Sequence, residues 1–322
     1  LAGNTATVTV KIANIDKTAP TAQVSYSTTE LTNQDVVVTI KANKQLQSIS
    51  GWLISADKLS LTKTYVSNTT ENVTIKDLAG NTTAVTVKIA NIDKTAPTAQ
   101  ISYSTTELTN EDVVVTIKAN EKIQEVDGGT LSSDKLSLTK IYSTNTTENI
   151  TIKDLAGNTT AVKANITNID KMAPAVQVSY STTELTNQNV VVTIKANEKI
   201  QEVDGWILST DKLSLTKTYT SNITENITIK DIAGNTTTVA VKITNIEKTE
   251  LTGEVIYSIK ELTNQDVVAT IKANKQLQPI SGWTLSTDKL SLTKTYISNT
   301  TETVTIKDLA GNSTTVNIKI NN

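Results

Sequence analysis

Chemistry in this chain rests on carboxylates, ammonium groups, amides, hydroxyls and three indoles, because the sequence holds no Cys, His or Arg and its thirty basic residues are all Lys. Thiol nucleophiles, imidazole bases and His-ligated metals are excluded. A metal would need an all-oxygen site of the kind calcium prefers. The acids suggest one: Glu30, Asn33 and Asp35 stand in a polar turn, Asp93 in a linker and Asp154 in a tight turn. If the end of one domain meets the tight turn of the next, Glu30, Asp35, Asp93 and Asp154 gather at the first junction and calcium stiffens it. The alternative is that they are turn and cap residues in solvent. The set thins along the chain, since the place of Asp35 is taken by Asn189 and that of Asp93 by Glu247. Trp52, Trp206 and Trp283 each follow a Gly, and either stack a sugar on an exposed ring or pack into a core. Gly129 stands at the equivalent place in the second copy. Losing a buried Trp costs about 3 to 5 kcal/mol, so its absence points to a partly buried position. Ser, Thr, Lys, Asp and Glu are plentiful, yet nothing in their spacing resembles a catalytic constellation, so no enzyme and no organic cofactor is expected.

The element that must position these groups is Asp77-Leu78-Ala79-Gly80-Asn81, which returns with its Asp at residues 154, 231 and 308, a constant spacing of 77. With Asp77 paired to Asn81, the three residues between them form a hairpin loop whose last member is left-handed. That suits Gly80 and its counterparts Gly157, Gly234 and Gly311. The Asp carboxylate is placed to accept a backbone N–H two residues on, and Gly80→Val should cost about 1 to 2 kcal/mol in left-handed strain. The chain therefore divides into a final strand of a preceding repeat (1–16) and repeats over 17–93, 94–170, 171–247 and 248–322. Each repeat is long enough to bury a modest core of its own.

Within a repeat the pattern is period-2 throughout. Val36, Val38, Ile40 and Ala42 share one face and Val37, Thr39 and Lys41 the other; Leu59, Leu61 and Tyr65, then Val73 and Ile75, then Val85, Val87 and Ile89 follow. No helical period occurs. Turn signals every eight to twelve residues predict an all-β fold of about seven antiparallel strands, an immunoglobulin-like β-sandwich, repeated as an extended rod. Pro20, Pro97 and Pro174 stiffen the linkers, whereas Leu251 replaces proline at the fourth copy and should leave that junction loosest. The second strand runs into Asn43-Lys44-Gln45 and Asn274-Lys275-Gln276 in the outer copies but Asn120-Glu121-Lys122 and Asn197-Glu198-Lys199 in the middle ones. Such near-identical domains read as cassettes duplicated for length.

A net charge of −2, with no basic block, makes nucleic acid an unlikely partner. No apolar run approaches the roughly 18 to 20 residues that span a bilayer. The Asp-x-Ala-Gly-Asn turn before a Val/Thr strand, then Asn-Ile-Asp-Lys-Thr-Ala-Pro, with Thr-Asn-Gln-Asp-Val-Val-Val-Thr-Ile between, resembles the tandem bacterial Ig-like domains of Gram-positive, especially clostridial, surface and secreted proteins. The resemblance implies a non-catalytic extracellular stalk or fibre segment of a surface protein or adhesin. Its partners would be further copies in a fibre, or a cell-surface or host glycan or protein. Two alternatives remain: a module binding glycans or host surfaces, and a spacer from a secreted glycan-degrading enzyme. Some Gram-positive surface domains carry a covalent Lys–Asn bond, for which Lys63, on the inward parity with Lys140, Lys217 and Lys294, is the candidate; an outward-turned amine is the alternative.

Overall fold

The computed structural model describes residues 2–126 and 128–321. Leu1 and Asn322, the outermost residues of the expected leading strand and of the fourth repeat, lie outside the described residues, as does Asp127. The described chain is all β, and one six-strand set recurs four times at the 77-residue period. In the first repeat β1 (Ala22–Tyr26), β2 (Val36–Ala42), β3 (Leu53–Ile54) and β4 (Ser60–Tyr65) form an antiparallel sheet in the order β1-β2-β4-β3. A separate two-stranded antiparallel ladder is made by β5 (Thr69–Lys76) and β6 (Thr82–Ile89). No helix here is long and apolar enough to cross a membrane.

Alternation sets the core. The odd members of β2, Val36, Val38 and Ile40, are fully buried, and Ile40 lies opposite Val24 on one side and Leu61 on the other. From the two-stranded ladder Val73, Ile75, Val87 and Ile89 join the same cluster, so two apolar faces enclose one core. Burying each such Val or Ile contributes about 1.5 to 3 kcal/mol, which explains why a chain with so few aromatics still builds a core in every repeat.

Six strands form where about seven were expected. The middle of the repeat contributes only Leu53 and Ile54, because the preceding residues are held by turns and single bridges: Leu46 bridges Asp77, and Trp52 N donates to Ile49 O at 3.0 Å. The polar stretch between β1 and β2 likewise makes one parallel bridge, Thr32 to Ile92, and no strand. Residues 2–16, expected as a final strand, lie in no sheet, and Val8, Val10, Ile12 and Ile15 are all more than 60% exposed. The homologous β6 is held by β5 along its whole length, and residues 2–16 have no such ladder among the described residues. Leu251, which stands where the other copies carry proline, is 2% exposed and packs in the core of the fourth repeat.

The chain divides into two compact units, Leu1–Glu107 with Glu111–Ile169 and Leu108–Asn110 with Asp170–Asn322. Within the first, repeats 1 and 2 are fastened through the signature turn: Asn33 N donates to Ala156 O at 3.0 Å and Asn158 Nδ2 to Asp93 O at 2.9 Å. Within the second, repeats 3 and 4 use the same pair, Asn187 N to Ala310 O at 2.9 Å and Asn312 Nδ2 to Glu247 O at 3.0 Å.

Candidate functional site

Among the described residues the buried polar side chains are four aspartates, Asp77, Asp154, Asp231 and Asp308, the first residue of each signature turn. Burying a carboxylate is costly unless its oxygens are satisfied, and the turn does this locally. Asp77 N donates to Asn81 O at 3.0 Å and Gly80 N to Asp77 O at 3.1 Å, with Gly80 left-handed at φ +98°. The carboxylate accepts Asn81 N at 2.8 Å on one oxygen and Asn81 Nδ2 at 3.0 Å on the other. These donors sit four residues on, and in the second repeat Gly157 N adds one three residues on at 2.6 Å, instead of the two-residue Asx pattern expected. The Asn81 side chain, above all, lowers the Asp77 pKa from its ordinary value.

What faces the buried aspartate differs between repeats. In repeat 1 the Lys44 ammonium lies 2.7 Å from Asp16 Oδ2, 2.9 Å from Asp16 Oδ1, 2.7 Å from Thr18 O and 3.7 Å from Asp77 Oδ2. The Lys44 hydrogen bond, then Thr18, pulls the Asp16 carboxyl down to about 2. Repeat 4 repeats the cage: the Lys275 ammonium lies 3.1 Å from Glu247 Oε1 and 3.5 Å from Asp308 Oδ2, and it also donates to Thr249 O. Thr249, ahead of Lys275, holds the Glu247 carboxyl at about 2. Repeats 2 and 3 place a glutamate where these lysines stand. Asp93, Glu121 and Asp154 each bring a carboxylate oxygen within 4.8 Å of the others, as do Asp170, Glu198 and Asp231. Partial burial, then the two neighbouring aspartates, raise the pKa of Glu121; Glu198 is raised in the same way, with a hydrogen bond to Asp170 added. Three carboxylate oxygens converging, one of them from a buried aspartate, can hold a proton or a cation.

Of the calcium set expected from sequence, Asp93 and Asp154 are brought together, whereas Glu30 and Asp35 are not in the cluster. Asp35 is instead ion-paired to Lys94 at 2.6 Å, and the turn between β1 and β2 meets the following hairpin loop through Asn33, whose N–H donates to Ala156 O. The third carboxylate is Glu121, whose signal was the alternation Lys44, Glu121, Glu198, Lys275 along the chain.

The indoles offer no stacking platform. Trp52, Trp206 and Trp283 are 7%, 8% and 9% exposed and sit edge-on to Tyr65, Tyr219 and Tyr296 at 6.2 to 6.4 Å between ring centroids. The inference from Gly129 fails for a physical reason: a Cβ there would meet Leu138 Cδ1 at 2.7 Å, so in repeat 2 the leucine side chain occupies the space beside the backbone. Lys63 is half-buried and reaches across to the other sheet, bonded to Glu71 Oε2 at 2.7 Å and lying 4.9 Å from the Tyr65 ring centroid. Tyr65 Oη donates to the same carboxylate oxygen at 2.8 Å. The Lys63 hydrogen bond, then that of Tyr65, lowers the Glu71 pKa.

No family model matches this chain, and no curated protein does. Among solved structures, one described as a tetra-tandem repeat in the extending region of a large adhesion protein aligns over 94% of this chain and 100% of its own, at 16% identity and a TM-score of 0.30. Another, solved with a xylogluco-oligosaccharide, covers 80% of this chain and 74% of its own at 10% identity and a TM-score of 0.22. Neither superposes closely enough to carry an assignment.

Proposed function

We propose that this chain is a non-catalytic structural array, four immunoglobulin-like sandwiches joined end to end as a spacer that projects or assembles a bacterial surface or secreted protein. One observation carries the reading: the last residue of the recurring signature turn is spent on joining one repeat to another. Asn158 and Asn312, each the last residue of a signature turn, reach the linker carbonyl of the preceding repeat, at 2.9 Å and 3.0 Å. A repeated receptor would instead keep its recurring residues on an open face. The burial of all three Trp argues against the alternative of a glycan-binding module, and the spacer of a secreted glycan-degrading enzyme is a variant of the same structural role. Small-angle scattering on the full chain tests the reading. Eight-residue strands at about 3.3 Å per residue, plus loops, give about 35 to 45 Å per repeat, so the expected maximum dimension is about 140 to 180 Å. A maximum dimension below ~100 Å, the size of a collapsed cluster at that pitch, would refute the extended array.

A further inference from the structure

We propose that repeats 1 to 3 each carry a side-chain clamp that is loaded in shear when the chain is pulled along its length, so that the array bears tension as well as setting distance. In repeat 1 the entering segment, residues 20–32, and the leaving segment, residues 83–93, are cross-linked along their length. Thr83 Oγ1 donates to Pro20 O at 2.5 Å, Lys88 N to Tyr26 Oη at 3.3 Å and Asn91 Nδ2 to Glu30 O at 2.8 Å. Backbone bonds take over at the far end, where Thr32 N donates to Asn91 O at 2.8 Å and Asp93 N to Thr32 O at 2.9 Å. Both series ascend together, so the segments run parallel, as the Thr32 to Ile92 bridge does. The side-chain bonds recur in repeat 2 as Thr160 to Pro97 O, Asn165 N to Tyr103 Oη and Asn168 to Glu107 O. In repeat 3 they are Thr237 to Pro174 O, Lys242 N to Tyr180 Oη and Asn245 to Glu184 O.

Direction decides what such bonds do under load. Tension reaches repeat 1 ahead of Pro20 and leaves it beyond Asp93, so it draws two parallel segments in opposite senses along their own axes. All the cross-links are then strained together, and none opens before its neighbours. Antiparallel segments with both ends on one side would instead let the same pull open the bonds one after another. Each hydrogen bond is individually weak, so sharing the load is what gives the set its resistance. Thermodynamic stability is indifferent to this arrangement, whereas mechanical resistance depends on it. The bonds also stand where two sheets meet: β1 belongs to the four-stranded sheet and β6 to the two-stranded ladder, so the clamp joins the sheet that tension enters to the ladder that it leaves. The tension itself rests on the reading of the chain as a spacer that projects or assembles another part.

Single-molecule force spectroscopy on the full chain decides the matter. The sequence holds no Cys, so paired cysteines at exposed positions set where the handles attach. With Lys17→Cys and Thr95→Cys, force crosses repeat 1 along the chain; with Lys17→Cys and Thr82→Cys, it starts at one end of the parallel pair and peels it. Expected is a rupture force severalfold higher in the first geometry at the same loading rate. Tyr26→Phe with Thr83→Val removes two hydroxyls and little volume, so the variant should keep the wild-type circular dichroism while its rupture force in the first geometry falls towards that of the second. Equal rupture forces in the two geometries overturn the clamp, and so does a force in the first geometry that the hydroxyl deletions leave unchanged. Only repeat 1 lies between the handles, so scattering that finds the chain collapsed leaves this result standing, and the clamp and the array fail separately.

Discussion

At the scale of single residues, the second repeat records how a core absorbs the loss of its largest side chain. Trp206 packs edge-on against Tyr219 with the indole buried, so Trp206→Ala should cost repeat 3 about 3 to 5 kcal/mol. Hydrogen exchange over residues 190–243 should show it as a loss of protection confined to that repeat. Gly129→Trp is not the reverse of this change. Leu138 would stand within 2.7 Å of the new Cβ, and forcing both side chains into one space should destabilise repeat 2 by about 1 to 3 kcal/mol. Increased protection in repeat 2 on introducing the indole would show that Leu138 moves aside freely. Sequence reasoning could not anticipate this, because a missing ring says nothing about which neighbour's rotamer fills the gap. It also missed Lys58, Lys135, Lys212 and Lys289, all left-handed at φ 58° to 61°. At that turn an Asp57 oxygen accepting Leu59 N at 3.0 Å sets a conformation usually signalled by Gly or Asn.

At the scale of elements, a recurring polar bridge ties the two sheets of each repeat, in which Lys63 and Tyr65 of β4 converge on Glu71 of β5. Lys140, Lys217 and Lys294 make the same bridge to Glu148, Glu225 and Glu302. The four glutamates have lowered pKa values, with the lysine hydrogen bond the leading cause in three of them and the tyrosine bond in Glu225. A lowered carboxyl pKa gives stability that is present above the unfolded value near 4.3 and is lost as pH falls through the folded value. Burial, then the glutamate, raises the pKa of Tyr65 and its three counterparts, so stability should also fall as pH rises above about 10. Melting temperature against pH should therefore drop at both ends, and replacing all four glutamates by Gln should make the acid limb shallower. An acid limb of unchanged slope would mean that the bridge adds nothing to stability. Glu121 and Glu198 act in the opposite sense, since a raised carboxyl pKa favours the folded state as pH falls. Strand positions were legible because Val36, Val38 and Ile40 must share a face whatever surrounds them. The turn was legible because Gly80 has little alternative. The Asp93–Glu121–Asp154 triad was not, since it depends on how a linker, a strand end and a hairpin loop converge, which period-2 patterning does not encode.

At the scale of the whole molecule, the 77-residue period makes a test that a single domain would not allow. Deleting residues 94–170 joins Asp93 directly to Lys171, and the resulting Asn91-Ile92-Asp93-Lys171 has the same residue types as the natural Asn168-Ile169-Asp170-Lys171. Every strand of the removed repeat pairs within that repeat, so no ladder is cut. What is exchanged is one set of neighbour contacts for another: Asn235 Nδ2, which bonds Asp170 O at 2.9 Å, would find Asp93 O in its place. In a chain whose stability is a sum of repeat and nearest-neighbour terms, the shortened protein should melt within about 2 °C of the parent, a neighbour-term change of under about 1 kcal/mol. Its maximum dimension should shrink by one pitch of about 35 to 45 Å. A fall in melting temperature of about 10 °C or more, equivalent to several kcal/mol, would mean that the repeats depend on distant partners, and the cassette reading would fail with it. Loss of melting cooperativity without loss of mean stability would instead place the coupling in the junction between repeats, where Asn33 N meets Ala156 O and Lys94 meets Asp35.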